Sequence, residues 1–272
     1  MSGAVLRQSL RQVARPTVIV ALGAAAFFFL TLLSSASFLE DFSRGPEGVP
    51  SFFEEPPRAI EAFLGGSADF FSPQGWLVAG MLHPIVLSLL TSGAIMIAAG
   101  AVATELERGT IDLVLSRPIS RTAFLLGKAV ASLIVVTVVH AGGFLGVLIA
   151  RAIVERVDEI PVPDLLLAFA GSWVLFAAFA MVALLISSRS SLRGRATGIT
   201  IGVVVTAFFV NFMALLFDEI DGARFVSPFH YFRPADILKG EPFVPDLLVL
   251  AAVAVVAGAL AVWRFGRRDL TR

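Results

Sequence analysis

The chain has no cysteine in 272 residues, which excludes disulfides, thiol nucleophiles, zinc-thiolate sites and iron-sulfur clusters, and leaves the compartment open. Charge is also scarce: Asp, Glu, Lys and Arg make up 15% of the residues, against 57% hydrophobic. The 21 basic and 21 acidic residues cancel, so no net charge draws nucleic acid or acidic substrates from a distance. With a mean hydropathy of +0.87, this is not the composition of a soluble domain. What the chain does have is long uncharged sequence. It reads as an all-α, polytopic membrane protein.

A helix crossing the hydrocarbon needs about 20 largely apolar residues. Six stretches between consecutive charges come near that length: 16–39, 70–104, 129–150, 165–188, 196–217 and 247–263. Trimming and extending them at Pro, Gly and cap residues gives spans at 16–39, 76–104, 120–150, 164–188, 196–217 and 245–264. None alternates with a period of two, so helices rather than barrel strands cross the bilayer. Arg7, Arg11 and Arg15 precede the first run and Ser35, Ala36 and Ser37 follow it, but its apolar core exceeds that of a signal peptide, and it is kept as a span.

The loops then separate by charge. The N-terminus, the loops after spans two and four, and the C-terminal tail hold 14 basic and 4 acidic residues, while the other loops hold 7 basic and 17 acidic. The positive-inside rule places both termini in the cytoplasm.

Three segments outside the spans have their own character. Residues 1–15 carry Arg7, Arg11 and Arg15 at helical spacing beside Leu6, Leu10 and Val13, the pattern of an interfacial helix at the lipid surface before Pro16. Residues 40–75 form an acidic outer loop whose prolines prevent a continuous helix, with two turns expected from Arg58. Residues 225–240 are aromatic and proline-rich, too short to span and too apolar for an ordinary loop, so an outer re-entrant segment is expected between spans five and six.

The loop at 105–119 follows span two. Gly109 can end the helix leaving the membrane, and Thr110 can cap a short helix with Ile111, Val114 and Leu115 on one face. Pro118 stops it and Ser120 caps span three. Such a helix presents an apolar knob, rimmed by Glu105, Glu107, Arg108, Asp112 and Arg117, to a partner or to the membrane surface.

In its residues this loop resembles the signature loop of ABC-2 type permeases, the membrane subunits of one class of ABC exporters. The family pattern of an acidic pair, Gly-Thr, a short helix, a Pro-Ile-Ser-Arg turn and Leu-Gly-Lys matches Glu105, Glu107, Gly109, Thr110, Pro118, Ile119, Ser120, Arg121, Leu126, Gly127 and Lys128. The six-span plan, the Ser227-Pro-Phe-His-Tyr-Phe-Arg-Pro234 segment and the Arg267-Arg-Asp-Leu270 tail extend the resemblance over the whole chain, most of all to permeases related to the one serving nitrous-oxide-reductase maturation. The resemblance implies a permease dimer, of identical or paralogous subunits, in a prokaryotic plasma membrane. Two separate cytoplasmic ATP-binding subunits would hold ATP and magnesium and drive export of an unidentified substrate through 105–119 as the coupling helix. It also implies a gate helix bearing Arg7, Arg11 and Arg15, and outer half-helices between spans five and six. This chain has no Gly-x4-Gly-Lys-Ser/Thr loop to cradle phosphate, so it is expected to hold no cofactor, metal or catalytic residue of its own.

Gly194, Gly198 and Gly202 in span five, and Gly142 with Gly146 in span three, are small-xxx-small steps suited to close helix contact within a subunit or across a dimer. His83, His140 and Asn211 are the polar residues inside spans that can line a pathway or bond neighbouring helices. An ATP-independent carrier or channel is the alternative, but no span carries a mid-membrane charge for coupling. Residues 218–224 are similar to the CDP-alcohol phosphotransferase signature, yet they lack two of its residues and its second half, which leaves an intramembrane transferase remote.

Overall fold

A computed structural model of the chain describes residues 3–43, 57–63, 72–111, 113, 116, 119–155, 157, 160–241 and 243–268. The described residues are overwhelmingly helical, with five helices long and apolar enough to cross a membrane, or six if one bent pair counts as a single span.

The first helix, α1 (Gly3–Ser43), is 41 residues long and passes through Pro16 without a break. At 1.5 Å per residue it is about 60 Å long, twice the hydrocarbon thickness, so it projects well beyond the membrane. The interfacial helix expected at 1–15 is continuous with the first span in this one helix. Pro16 removes only one backbone hydrogen bond, and the chain on both sides of it is held by protein. Val5 and Ser9 are buried, and Leu6, Leu10 and Val13 pack against the core while Arg7, Arg11 and Arg15 stay exposed. The Thr17 hydroxyl donates to Met96 Sδ at 3.5 Å, just past the proline. The apolar stripe thus faces the chain's own helices rather than lipid.

A two-turn helix, α2 (Arg58–Phe63), follows. The second span is broken into α3 (Pro73–Leu82) and α4 (Pro84–Ala98), bent by 51°. The cause is local. His83 precedes a proline and takes an extended backbone (φ −65°, ψ 135°), and its Nδ1 accepts the Ile85 amide at 3.2 Å, capping α4.

Next come α5 (Ala103–Glu107), α6 (Arg121–Arg151), α7 (Val162–Arg189) and α8 (Arg193–Leu216). Two 3-10 segments, Asp218–Val226 and Pro228–Tyr231, and the short α9 (Pro234–Leu238) lead into α10 (Val244–Gly266). The helix α6 begins at Ser120, whose hydroxyl accepts the Ala123 amide at 3.1 Å.

Glycine sets a close contact between two of these helices. A Cβ at Gly127 would lie 3.1 Å from Val5, and one at Gly142 or Gly146 would collide with the backbone carbonyl of Ala21 or Ala25. Partner numbers rise together along both helices, so α1 and α6 run parallel and touch over about 30 Å. The Gly142–Gly146 step is therefore consumed inside the subunit. Gly194, Gly198 and Gly202 on α8 have nothing within 4 Å of where a Cβ would stand. In the same sense α7 is central, with 67% of its apolar window buried against 17% for α8 and α10, leaving those two with open apolar faces.

The segment after α8 folds back onto the bundle. Ser227 Oγ donates to the Ala207 carbonyl at 2.7 Å and accepts the Phe229 amide, pinning the turn. Phe229 is then buried between Phe179 and Phe208, at ring distances of 5.5 and 5.6 Å. Arg233 closes the segment, bonding Asp246 through Nε and Nη2 and pairing with Asp236 at 2.7 Å. Among the described residues this region, where outer half-helices were expected, holds two 3-10 segments and a five-residue helix.

Candidate coupling site

Span two ends at Ala98, and the chain turns through 99–102 before α5. No side chain of its own caps α5. Instead Ser187, near the end of α7, accepts the Val102 and Ala103 amides at 3.1 and 3.2 Å. The far end of α5 closes as a Schellman motif: Gly109 stands at φ +67°, its amide bonds the Leu106 carbonyl at 3.1 Å, and the Thr110 amide bonds the Glu105 carbonyl at 2.9 Å. A Cβ at Gly109 would meet nothing within 4 Å, so glycine is needed there for conformation and not for room.

In most such motifs a hydrophobic contact closes the loop. Here the Thr110 hydroxyl donates to Glu105 Oε2 at 2.6 Å. Expected to cap a following helix, Thr110 faces backwards. Glu105 is also paired across the bundle with Lys128 of α6, at 3.5 Å, and their side chains are only 19% and 10% exposed. Glu107 reaches the other way, its Oε2 accepting the Arg193 amide in the first turn of α8 at 2.9 Å. A carboxylate on the free amides of a helix start is favoured by both hydrogen bonding and the helix dipole. The two acids therefore connect the turn to spans three and five, and Ser187 connects it to span four.

Beyond Thr110, Ile111 is 4% exposed and packs in the core, while Leu113 is 69% exposed. The expected knob of Ile111, Val114 and Leu115 is thus changed in its first member, which the chain buries for itself. Asp112, Val114, Leu115, Arg117 and Pro118 lie outside the described residues. Arg121, at the start of α6, donates to the Arg268 carbonyl at 2.7 Å, and the Arg268 guanidinium donates to the Ser188 and Ser190 carbonyls at 2.7 and 3.1 Å. Burial lowers the pKa of Arg268 from its ordinary value. Ser187 had no signature in the sequence, because a serine at the end of an apolar run is what any span boundary contains; Arg268 lay in the Arg267-Arg-Asp-Leu270 tail that carries the resemblance, but its carbonyl partners did not show.

Residues 17–270 match the ABC-2 family transporter protein. The chain belongs to that family. This ABC-2 protein is accordingly a multi-pass membrane protein and a permease subunit of an ABC transporter. Among curated proteins no match is found.

The pathway candidates separate by environment. His140 of the ABC-2 chain is buried, with Nδ1 2.8 Å from the Val136 carbonyl and Nε2 3.2 Å from Ser172 Oγ, a tie between α6 and α7. His83 caps α4 and lies 5.0 Å from the Phe27 ring. Asn211 lines a cavity of about 280 Å³ beside Arg224, His230 and Arg233, and its buried Oδ1 has no hydrogen-bond partner among the described residues. A second cavity, about 390 Å³, runs between α4 and α8 and is lined by Leu87, Thr91, Val204, Phe208 and Phe209. Of the three candidates, Asn211 opens onto a cavity, whereas His140 is held between two helices and His83 caps one.

Proposed function

We propose that this permease works as an exporter, paired with a second permease and driven by separate cytoplasmic ATP-binding subunits that engage residues 105–119. The arginine-rich end of the bundle faces the cytoplasm in this reading, with both termini there. The observation that carries it is the bracing of the loop. Glu105, Glu107 and Ser187 attach one short turn to α6, α8 and α7, so a push on that turn moves three spans together. A loop that only joined two spans would need no such attachment. Closure of the ATPases would be transmitted to the α4/α8 groove, and the bend at His83 gives span two a point about which its halves can reorient. The open glycine face of α8 supports a second permease on that side.

The test is to co-express the chain with the ABC ATPase encoded beside it, purify through a tag on the permease, and measure ATP hydrolysis. Co-purification and a rate that falls at least several-fold in the Glu105→Gln/Glu107→Gln double variant are expected. No co-purification, or a rate unmoved by that variant, refutes the coupling assignment.

A further inference from the structure

At the arginine-rich end, a surface pocket of about 380 Å³ is lined by Ser188, Arg189, Arg264, Arg267 and Arg268. Among the described residues no carboxylate lies within ion-pairing distance of Arg189, Arg264 or Arg267. Two ordinary explanations leave this arrangement unaccounted for. Setting topology requires arginines on one side, not four converging on one pocket. Neutralising the end of α7 is already done by Arg268, which bonds the Ser188 and Ser190 carbonyls.

What surrounds the pocket indicates its occupant. Trp263 is 47% exposed, with the Arg264 guanidinium 5.7 Å and the Arg267 guanidinium 4.7 Å from its ring. An exposed tryptophan holding cations at a helix end is typical of the headgroup level of a bilayer. Along α10, Val256 (56% exposed), Leu260 (44%), Trp263 and Arg267 fall within about 60° of one another around the helix, forming one outward stripe. From Val256 to Arg267 the stripe is about 16 Å long, close to the depth of one leaflet.

From these features we infer that the pocket binds the phosphate of an anionic phospholipid, whose acyl chain lies along Val256, Leu260 and Trp263. Guanidinium groups bond a phosphodiester through paired N–H donors, and basic pockets between spanning helices hold anionic headgroups. The site depends on membrane placement and not on the transport reading, so it can fail or stand independently of that reading.

The full-length permease in phosphatidylcholine micelles is titrated with bromine-chain phosphatidylglycerol, and quenching of tryptophan fluorescence is followed. Saturable quenching is expected, with Kd raised roughly tenfold or more in Arg189→Gln/Arg264→Gln/Arg267→Gln. The equally charge-depleted Arg58→Gln/Arg195→Gln/Lys239→Gln control, at exposed positions outside the pocket, should shift Kd less than twofold. Should the triple variant fail to fold, Arg267→Gln alone is expected to raise Kd at least threefold. Free glycerol phosphate should compete only weakly. Equal binding by wild type and variant, an equal loss in the control, or displacement by glycerol phosphate as effective as by lipid overturns the inference. So does unchanged lipid binding with loss of the ATP-binding subunit on purification, which would make the pocket a protein contact.

Discussion

The Glu105–Lys128 pair gives the sharpest quantitative expectation. The charges stand 3.5 Å apart with side chains 19% and 10% exposed, so at an effective dielectric of ~20 their attraction is about 5 kcal/mol. Glu105→Gln keeps an oxygen to accept from Thr110 and removes only the charge, leaving Lys128 nearly buried and unpaired. Removing one partner of such a pair costs about 3–5 kcal/mol, and the lower figure applies here because Lys128 can swing towards water. The apparent Tm should fall by roughly 6–12 °C. Lys128→Met should cost a comparable amount by stranding Glu105. The double variant Glu105→Gln/Lys128→Met leaves a neutral, well-filled site and should return to within about 1 kcal/mol of wild type. Unfolding of all four proteins in mixed micelles closes the cycle, with an expected coupling energy of at least about 2 kcal/mol. Single-variant losses that add in the double variant, with coupling below about 0.5 kcal/mol, would refute the claim that this pair braces the loop.

Four further outcomes follow from the geometry. Gly146→Ala and Gly142→Ala force a Cβ into the Ala25 and Ala21 carbonyls and should lower thermal stability sharply, whereas Gly198→Ala meets nothing and should raise it by up to about 1 kcal/mol through helix propensity. If a second permease occupies that open face, Gly198→Leu should reduce the dimer fraction on size exclusion with the helical circular dichroism unchanged. Gly109→Ala places a Cβ at φ +67° and should cost about 1–2 kcal/mol in the same unfolding assay, although nothing touches it. At the other end, Arg233→Lys loses the two-donor grip on Asp246 and should speed hydrogen exchange in 227–241 while leaving α1 and α6 unchanged.

Much of the helical plan was legible in advance because a backbone in hydrocarbon must satisfy its own hydrogen bonds, which makes every long charge-free run a helix. Caps are equally local: Ser120 and the Gly109 turn follow from two or three residues each. What holds the chain around Pro16 was not legible, because the packing there, Val5 on Gly127 and Thr17 on Met96, joins residues far apart in sequence. The acidic pair stood out, but its partners did not. Glu107 bonds a backbone amide 86 residues away, and Ser187 caps a helix 84 residues upstream.

By itself the sequence determined a helical, multi-pass membrane protein, because composition and spacing lie along the chain, and the resemblance of its 105–128 motif pointed to the ABC-2 family. Only the tertiary structure decided which glycines are consumed inside the subunit and which face outwards, and which carboxylate meets Lys128 and which a helix start. The reason is physical. Lipid and protein interior are both apolar, so an apolar helix face carries no mark of which it will touch, and the polar ties that choose between them join residues that only folding brings together.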